Sequence, residues 1–103
     1  MKKRELYSDM KLSIAVRLAE LRKESYSHLS ALPKYSDEER SFGKWRYTLA
    51  VWQEQKTDDL VQIVVQAYYH WMFGIGTMMA DGFRIQKNGV ILDVPQEERF
   101  EFT

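Results

Sequence analysis

The chain has 103 residues, of which 45% are hydrophobic and 29% are charged, and its fifteen Lys and Arg balance its fifteen Asp and Glu. This composition is typical of one globular domain spanning residues 1–103, and the zero net charge argues against non-specific binding to nucleic acid or to a membrane surface. Because the chain has no cysteine, disulfides, thiolate metal sites and cysteine nucleophiles are excluded.

The basic N-terminus, Met1 to Arg4, is followed by no apolar run, so no secretory signal is predicted. The most apolar stretch, residues 60–79, is interrupted by polar residues and glycines, whereas a membrane-spanning helix needs about 20 predominantly apolar residues. The lack of cysteine fits a reducing compartment. We therefore expect a cytoplasmic protein without a membrane partner.

An amphipathic helix is predicted over about residues 8–29, with an earlier start near Lys3 as the alternative. Apolar residues recur there at steps of four, four and three, which is the period of a helix that covers a core. The residues of this row are Met10, Ile14, Leu18 and Leu21. Three further residues are expected to widen the same stripe, namely Ala15, Val16 and Ala19.

Residues 36–43 predict one or two helical turns within the first connection. Ser36 and Glu39 have the spacing of a capping box, in which each side chain bonds the backbone amide of the other residue. Gly43 favours a left-handed end to such a turn.

Two strands are predicted next. Residues 45–53 alternate in polarity, as a half-buried strand does, and a polar break at 54–59 follows. Residues 60–73 are apolar or aromatic at every odd position. A helix capped by Thr57 is the alternative for this second run, but its β-branched residues crowd a helix and favour a strand.

Glycines predict a bend and a hairpin turn in the rest of the chain. Three of them predict a bend over residues 74–82. Asn88-Gly89 predicts a hairpin between 83–87 and 90–94, because such turn residues accept a positive φ. Residues 95–103 form an acidic tail that contains two phenylalanines and is expected to dock as a short strand.

These elements predict an α+β domain. One long N-terminal helix packs on a four-stranded antiparallel meander that covers about residues 44–94, with a short helical turn in the first connection.

The odd-numbered positions of the two central strands carry the apolar residues, so this side is expected to face the helix. Opposed residues then have position numbers with an even sum, 114 or 116, because a slip of one residue would turn the apolar set to water. Large aromatics on the opposite, more polar face indicate contact with another molecule. The residues predicted to bind a partner are Arg46, Trp52, Gln66, Tyr68 and His70.

The main functional hypothesis is a small interaction protein, that is, an inhibitor, adaptor or self-associating module. It would bind another protein or a second copy of itself, and we expect a homodimer. The alternatives are a small-molecule binding domain with a pocket between helix and curved sheet, and an enzyme that uses His70 with a nearby acid. His28 and His70 lack metal-ligand spacing and no nucleophile motif is present, so we expect no catalytic residue, metal, cofactor or nucleic-acid partner.

Overall fold

The computed structural model of the chain describes residues 3–72 and 75–94, which form two helices and five strands. The elements are α1 (Lys3–Arg22), α2 (Tyr26–Ser30), β1 (Tyr35–Phe42), β2 (Trp45–Thr57), β3 (Leu60–Met72), β4 (Ile75–Gln86) and β5 (Ile91–Asp93). The strands pair in the order β1-β2-β3-β4-β5, and every pair is antiparallel. Both helices pack on one face of this sheet, so the predicted α+β meander is confirmed with five strands instead of four.

The predicted long helix is present but has different ends. Helix α1 starts at Lys3 and stops at Arg22, and α2 follows as a separate helix. Ser25 separates the two because its backbone is extended and its hydroxyl oxygen accepts a hydrogen bond from the amide of His28 at 3.1 Å, which caps α2. The predicted helix over 8–29 is therefore two helices.

The core row of α1 is confirmed, but the stripe is narrower than predicted. Five residues of α1 are buried against the sheet, namely Leu6, Met10, Ile14, Leu18 and Leu21. The expectation that Ala15, Val16 and Ala19 widen this stripe is wrong, since all three are exposed. At about 100° per residue they project away from the buried row, on the outward side of the helix with Leu12.

The segment 36–43 belongs to a strand, so the prediction of helical turns there is wrong. Strand β1 pairs with β2 along its whole length, from Tyr35 opposite Trp52 to Phe42 opposite Trp45. Gly43 has the predicted positive φ of 60°, but it lies in the hairpin turn between β1 and β2. The local capping pattern is overridden because pairing with β2 satisfies the backbone groups on the inner side of this edge strand, while those on its outer side face water.

The central hairpin has the predicted register. Thr48 lies opposite Tyr68 and Val51 opposite Val65, and both pairs sum to 116. Leu60–Met72 is strand throughout, so the helical alternative is wrong there, and Phe73 lies outside the described residues. Strand β2 runs on to Thr57, so the predicted polar break at 54–59 is reduced to a turn at Asp58 and Asp59.

Residues 75–82 form the first part of β4, so the predicted bend is wrong over this range. The glycines serve close packing: a Cβ at Gly82 would collide with the backbone carbonyl of Ile63 on β3. The Asn88-Gly89 hairpin is confirmed, with Gly89 at φ 93° and its amide donating to the carbonyl of Gln86 at 2.8 Å. The prediction that residues 95–103 dock as a strand lies outside the described residues.

The core lies between the helices and the odd-numbered residues of β2, β3 and β4, as the parity predicts. Leu49, Ile63 and Phe83 are among its fully buried side chains. Tyr47 ties α1 to β2, since its hydroxyl lies 2.9 Å from Asp9 Oδ2 and 2.6 Å from Ser13 Oγ. Burial raises the pKa of Tyr47, as does its hydrogen bond to Asp9, while the Ser13 hydroxyl lowers it.

Candidate functional site

The sheet face that carries no helix is the candidate site, and we call it the open face. It is formed by the even-numbered residues of β2, β3 and β4 and the odd-numbered residues of β1. Its centre is a depression of about 350 Å³. The depression is lined by Tyr35, Asp37, Thr48, Ala50, Trp52, Gln66, Tyr68 and Met78.

One wall of the depression is an aromatic pair. Tyr35 and Trp52 lie opposite each other in the sheet register, and their rings meet edge-on with centroids 4.5 Å apart. The Tyr35 hydroxyl donates to Asp37 Oδ2 at 2.7 Å, and this hydrogen bond, followed by burial and by the negative charge of Asp37, raises the pKa of Tyr35. The wall is therefore held in place by both a ring contact and a hydrogen bond.

Gln66 lies beside this wall and is the most informative residue of the site. It sits between two small side chains, Ala50 and Ala80, and is only 6% exposed. Its Oε1 accepts a hydrogen bond from the Trp52 indole at 2.8 Å, which fixes the orientation of the amide. Its Nε2 is buried and has no hydrogen-bond partner among the residues that the structure describes. A buried amide nitrogen without an acceptor costs about 1–3 kcal/mol.

Gln62, on the same face of β3 with Val64 between it and Gln66, repeats this arrangement. Its Oε1 accepts from Arg84 Nε at 2.8 Å, while its buried Nε2 has no partner. Two amide groups of the open face thus hold buried hydrogen-bond donors that no residue in the described ranges 3–72 and 75–94 accepts.

The other wall of the depression is Tyr68, which lies directly opposite Thr48 and Met78 in the register. Its hydroxyl is 3.3 Å from His70 Nδ1, and the two rings are 5.8 Å apart. Gly76 lets β4 approach β3 closely beside this ring, because a Cβ there would collide with the backbone carbonyl of Tyr69 and come within 3.2 Å of the Tyr68 hydroxyl. Tyr68 is 37% exposed and therefore available to a partner.

The predicted site residues share the open face but do not form one cluster. Trp52, Gln66 and Tyr68 line the depression, and His70 adjoins it through Tyr68. Arg46 lies apart, with its guanidinium 3.7 Å from Glu39 Oε1 and both side chains exposed. The structure thus brings three of the five residues together.

Sequence reasoning missed Tyr35, Asp37 and Met78. Asp37 was hidden by the capping pattern of residues 36–43, and Tyr35, just before that segment, was assigned to no element. The short glycine-containing connection Gly43-Lys44 is the hairpin signal that could have found both. Met78 was missed because the glycines around it indicated a bend.

A second depression, of about 550 Å³, lies between α1 and β4 at the side of the domain. Its lining includes Leu12, Ala15 and Met79 but no tryptophan. Within the described ranges 3–72 and 75–94, no cluster of three or more His, Cys, Asp or Glu side chains could hold a metal ion. No helix in that part of the chain is both long enough and apolar enough to cross a membrane.

Comparison with known proteins adds no relative. No family model, no curated protein and no solved structure matches the chain.

Proposed function

We propose that this chain is a cytoplasmic protein-interaction module whose open face binds an exposed segment of another protein. The observation that carries the proposal is Gln66: its amide group is buried in the wall of an aromatic-lined depression and holds a donor without an acceptor. A partner that brings a carbonyl oxygen to this site would supply the missing acceptor.

The size and lining of the depression indicate what a partner would insert. At about 350 Å³ it is at the small end of pockets that hold drug-sized ligands, so it suits one anchoring side chain of a protein. Trp52 and Tyr68 form its walls, and these residue types dominate the energetic centres of interfaces. An apolar anchor residue flanked by backbone carbonyls therefore fits best.

Binding requires a small rearrangement, because Gln66 Nε2 is covered by its neighbours. Met78 is the wall residue suited to move: its unbranched side chain adapts to irregular surfaces and is only partly buried. A rotamer change of this side chain needs no break in the pairing of β3 with β4, because backbone groups make that pairing.

Selection from a library of displayed peptides tests the proposal. Peptides retained by the wild-type chain should lose affinity by more than about 1 kcal/mol for Trp52→Ala and for Tyr68→Ala. Trp52→Ala should also lose some folding stability, because it removes the hydrogen bond to Gln66 and the ring contact with Tyr35. Val90→Ala is the matched control, because Val90 is an exposed apolar residue in the last hairpin.

Nuclear magnetic resonance locates the contact. Bound peptide should shift the Trp52 indole and Gln66 amide signals while the signals of α1 stay in place. Peptides that bind equally well to Trp52→Ala would contradict the proposal. If light scattering shows a dimer of the wild-type chain and a monomer of Trp52→Ala, the occupant of this face is a second copy of the chain.

A further inference from the structure

Helix α1 is apolar on its outward side as well as on its buried side. Leu12 is 61% exposed and Val16 is 52% exposed, and Ala15 and Ala19 beside them are exposed too. A surface helix of a monomer normally carries polar residues opposite its core row. The outward side of α1 thus has the pattern of a helix that packs against a second partner.

The two ends of this apolar stripe carry opposite charges. Glu5 and Lys23 are seven residues before and eleven residues after Leu12, which places both within about 20° of its direction around the helix axis. Lys23 continues the last turn, since its amide donates to the carbonyl of Glu20. Both side chains are exposed, and neither forms an ion pair with another described residue.

We propose that α1 packs antiparallel against α1 of a second copy of this chain across a two-fold axis. Leu12 then faces Val16 of the other copy, and the same register brings Glu5 opposite Lys23, because both pairs of position numbers sum to 28. A two-fold axis forms each contact twice. A parallel pair would instead place Glu5 against Glu5, so the charges favour the antiparallel orientation.

The interface is small and the dimer correspondingly weak. A helix of 20 residues is about 30 Å long, and a strip about 10 Å wide covers about 300 Å² on each copy, well below the ~800 Å² of a standard interface. The depression between α1 and β4, lined by Leu12, Ala15 and Met79, adds apolar area beside this strip. The small side chains of Ala15 and Ala19 let the helices approach closely.

Light scattering on the full chain tests the dimer. Between about 20 µM and about 1 mM the mass should rise from 12.3 kDa toward twice that value. Leu12→Gln with Val16→Gln should hold the mass at that of the monomer without loss of helicity, because both side chains are exposed. Trp52→Ala should leave the rise unchanged. A wild-type mass that stays at one chain, or a dimer lost only in Trp52→Ala, would overturn the proposal.

A charge swap tests the orientation. Glu5→Lys and Lys23→Glu should each weaken the dimer about three- to tenfold, because each change alone places two like charges opposite each other. The double variant should restore the dimer, because exchanging the two charges puts opposite signs back in contact across the interface. An equal loss in the double variant would contradict the antiparallel pairing.

Cysteine cross-linking tests the register, and because the chain has no native cysteine, only the introduced cysteines can form disulfides. A mixture of Leu12→Cys and Val16→Cys chains should form disulfides faster than either variant alone. Faster cross-linking within the Leu12→Cys variant alone would indicate a parallel pair and refute the register.

Discussion

Replacement of Gln66 by Met should stabilise the folded chain. Gln66 is 6% exposed, and its Nε2 has no partner, so removing this group relieves a cost of about 1–3 kcal/mol. The same change removes the acceptor of the 2.8 Å hydrogen bond from Trp52, which has a net value of about 0.5–1.5 kcal/mol. Met has a similar volume and buries apolar surface. The free energy of unfolding should therefore rise by about 1 kcal/mol.

Gln53→Met is the matched control. Gln53 is a glutamine of similar burial on β2, but its Nε2 donates to the backbone carbonyls of Ser30 at 3.0 Å and Leu29 at 3.4 Å. Its replacement leaves the Ser30 carbonyl without this donor, while the Leu29 carbonyl still accepts from the Leu32 amide, so stability should fall by about 1–2 kcal/mol. The two variants, made at equivalent burial, should thus change stability in opposite directions.

Urea unfolding followed by circular dichroism measures both variants, with an unchanged slope as the condition for comparing midpoints. A loss of more than about 1 kcal/mol in Gln66→Met would show that the amide is satisfied in the free protein. The reason for assigning an acceptor to the partner would then disappear. If Gln66→Met is stabilising and also abolishes peptide binding, the unsatisfied donor is retained for recognition.

Four further variants test the fold. Leu18→Ala should cost about 2–5 kcal/mol because it empties a core position, whereas Leu12→Ala on the outward side of the same helix should change stability by less than about 0.5 kcal/mol; similar losses would mean that α1 is rotated. Gly82→Ala should cost about 1–3 kcal/mol through its collision with the carbonyl of Ile63, and an unfolding midpoint equal to wild type would refute that close packing. The pKa of Tyr47 is raised in the folded state, so the contribution of its neutral hydroxyl to the free energy of unfolding is complete below pH ~10 and is lost as the pH rises through the folded-state pKa. Tyr47→Phe should therefore make the free energy of unfolding less dependent on pH in this alkaline range.

Patterns that depend on tertiary burial were predictable from the sequence. The odd-position apolar residues of β2 and β3 set the side that faces the helices and, through it, the register that places Thr48 opposite Tyr68. The row from Met10 to Leu21 set the buried side of α1. In both cases an error of one position would expose several apolar side chains, so the pattern is strongly constrained.

Of the patterns that depend on local chemistry, the Asn88-Gly89 turn was predicted correctly, whereas two others were misleading. The spacing of Ser36 and Glu39 also fits a strand whose residues are nearly all polar because it lies at the edge of the sheet and faces water. Gly76 and Gly82 indicate a bend in isolation, but they make room for the backbone of β3 and the ring of Tyr68. Such steric reasons exist only after two strands are paired, so no single segment reveals them.

The site was found only in part for the same reason. Trp52 and Tyr68 were predicted because their parity differs from that of the core residues around them. Tyr35 and Met78 come from the strands on either side of the central hairpin, and they were assigned to other structures. A depression built from four strands is visible only when the outer two strands are in register with the inner two.

The two proposed surfaces lie on opposite sides of a domain with two layers. Helix α1 covers one face of the sheet, and the aromatic depression opens on the other, so pairing through the outward side of α1 would leave the open faces of both copies pointing away from each other. Such a dimer presents two identical sites that one small partner cannot bridge. A partner that carries two copies of the recognised segment would gain from an intramolecular second binding step, whereas a single segment would not.

Tandem peptides should therefore bind more tightly than single ones only where the linker spans the dimer, and Leu12→Gln with Val16→Gln should abolish this gain while single-peptide affinity remains. Loss of single-peptide affinity in that variant would show that the two surfaces are not independent.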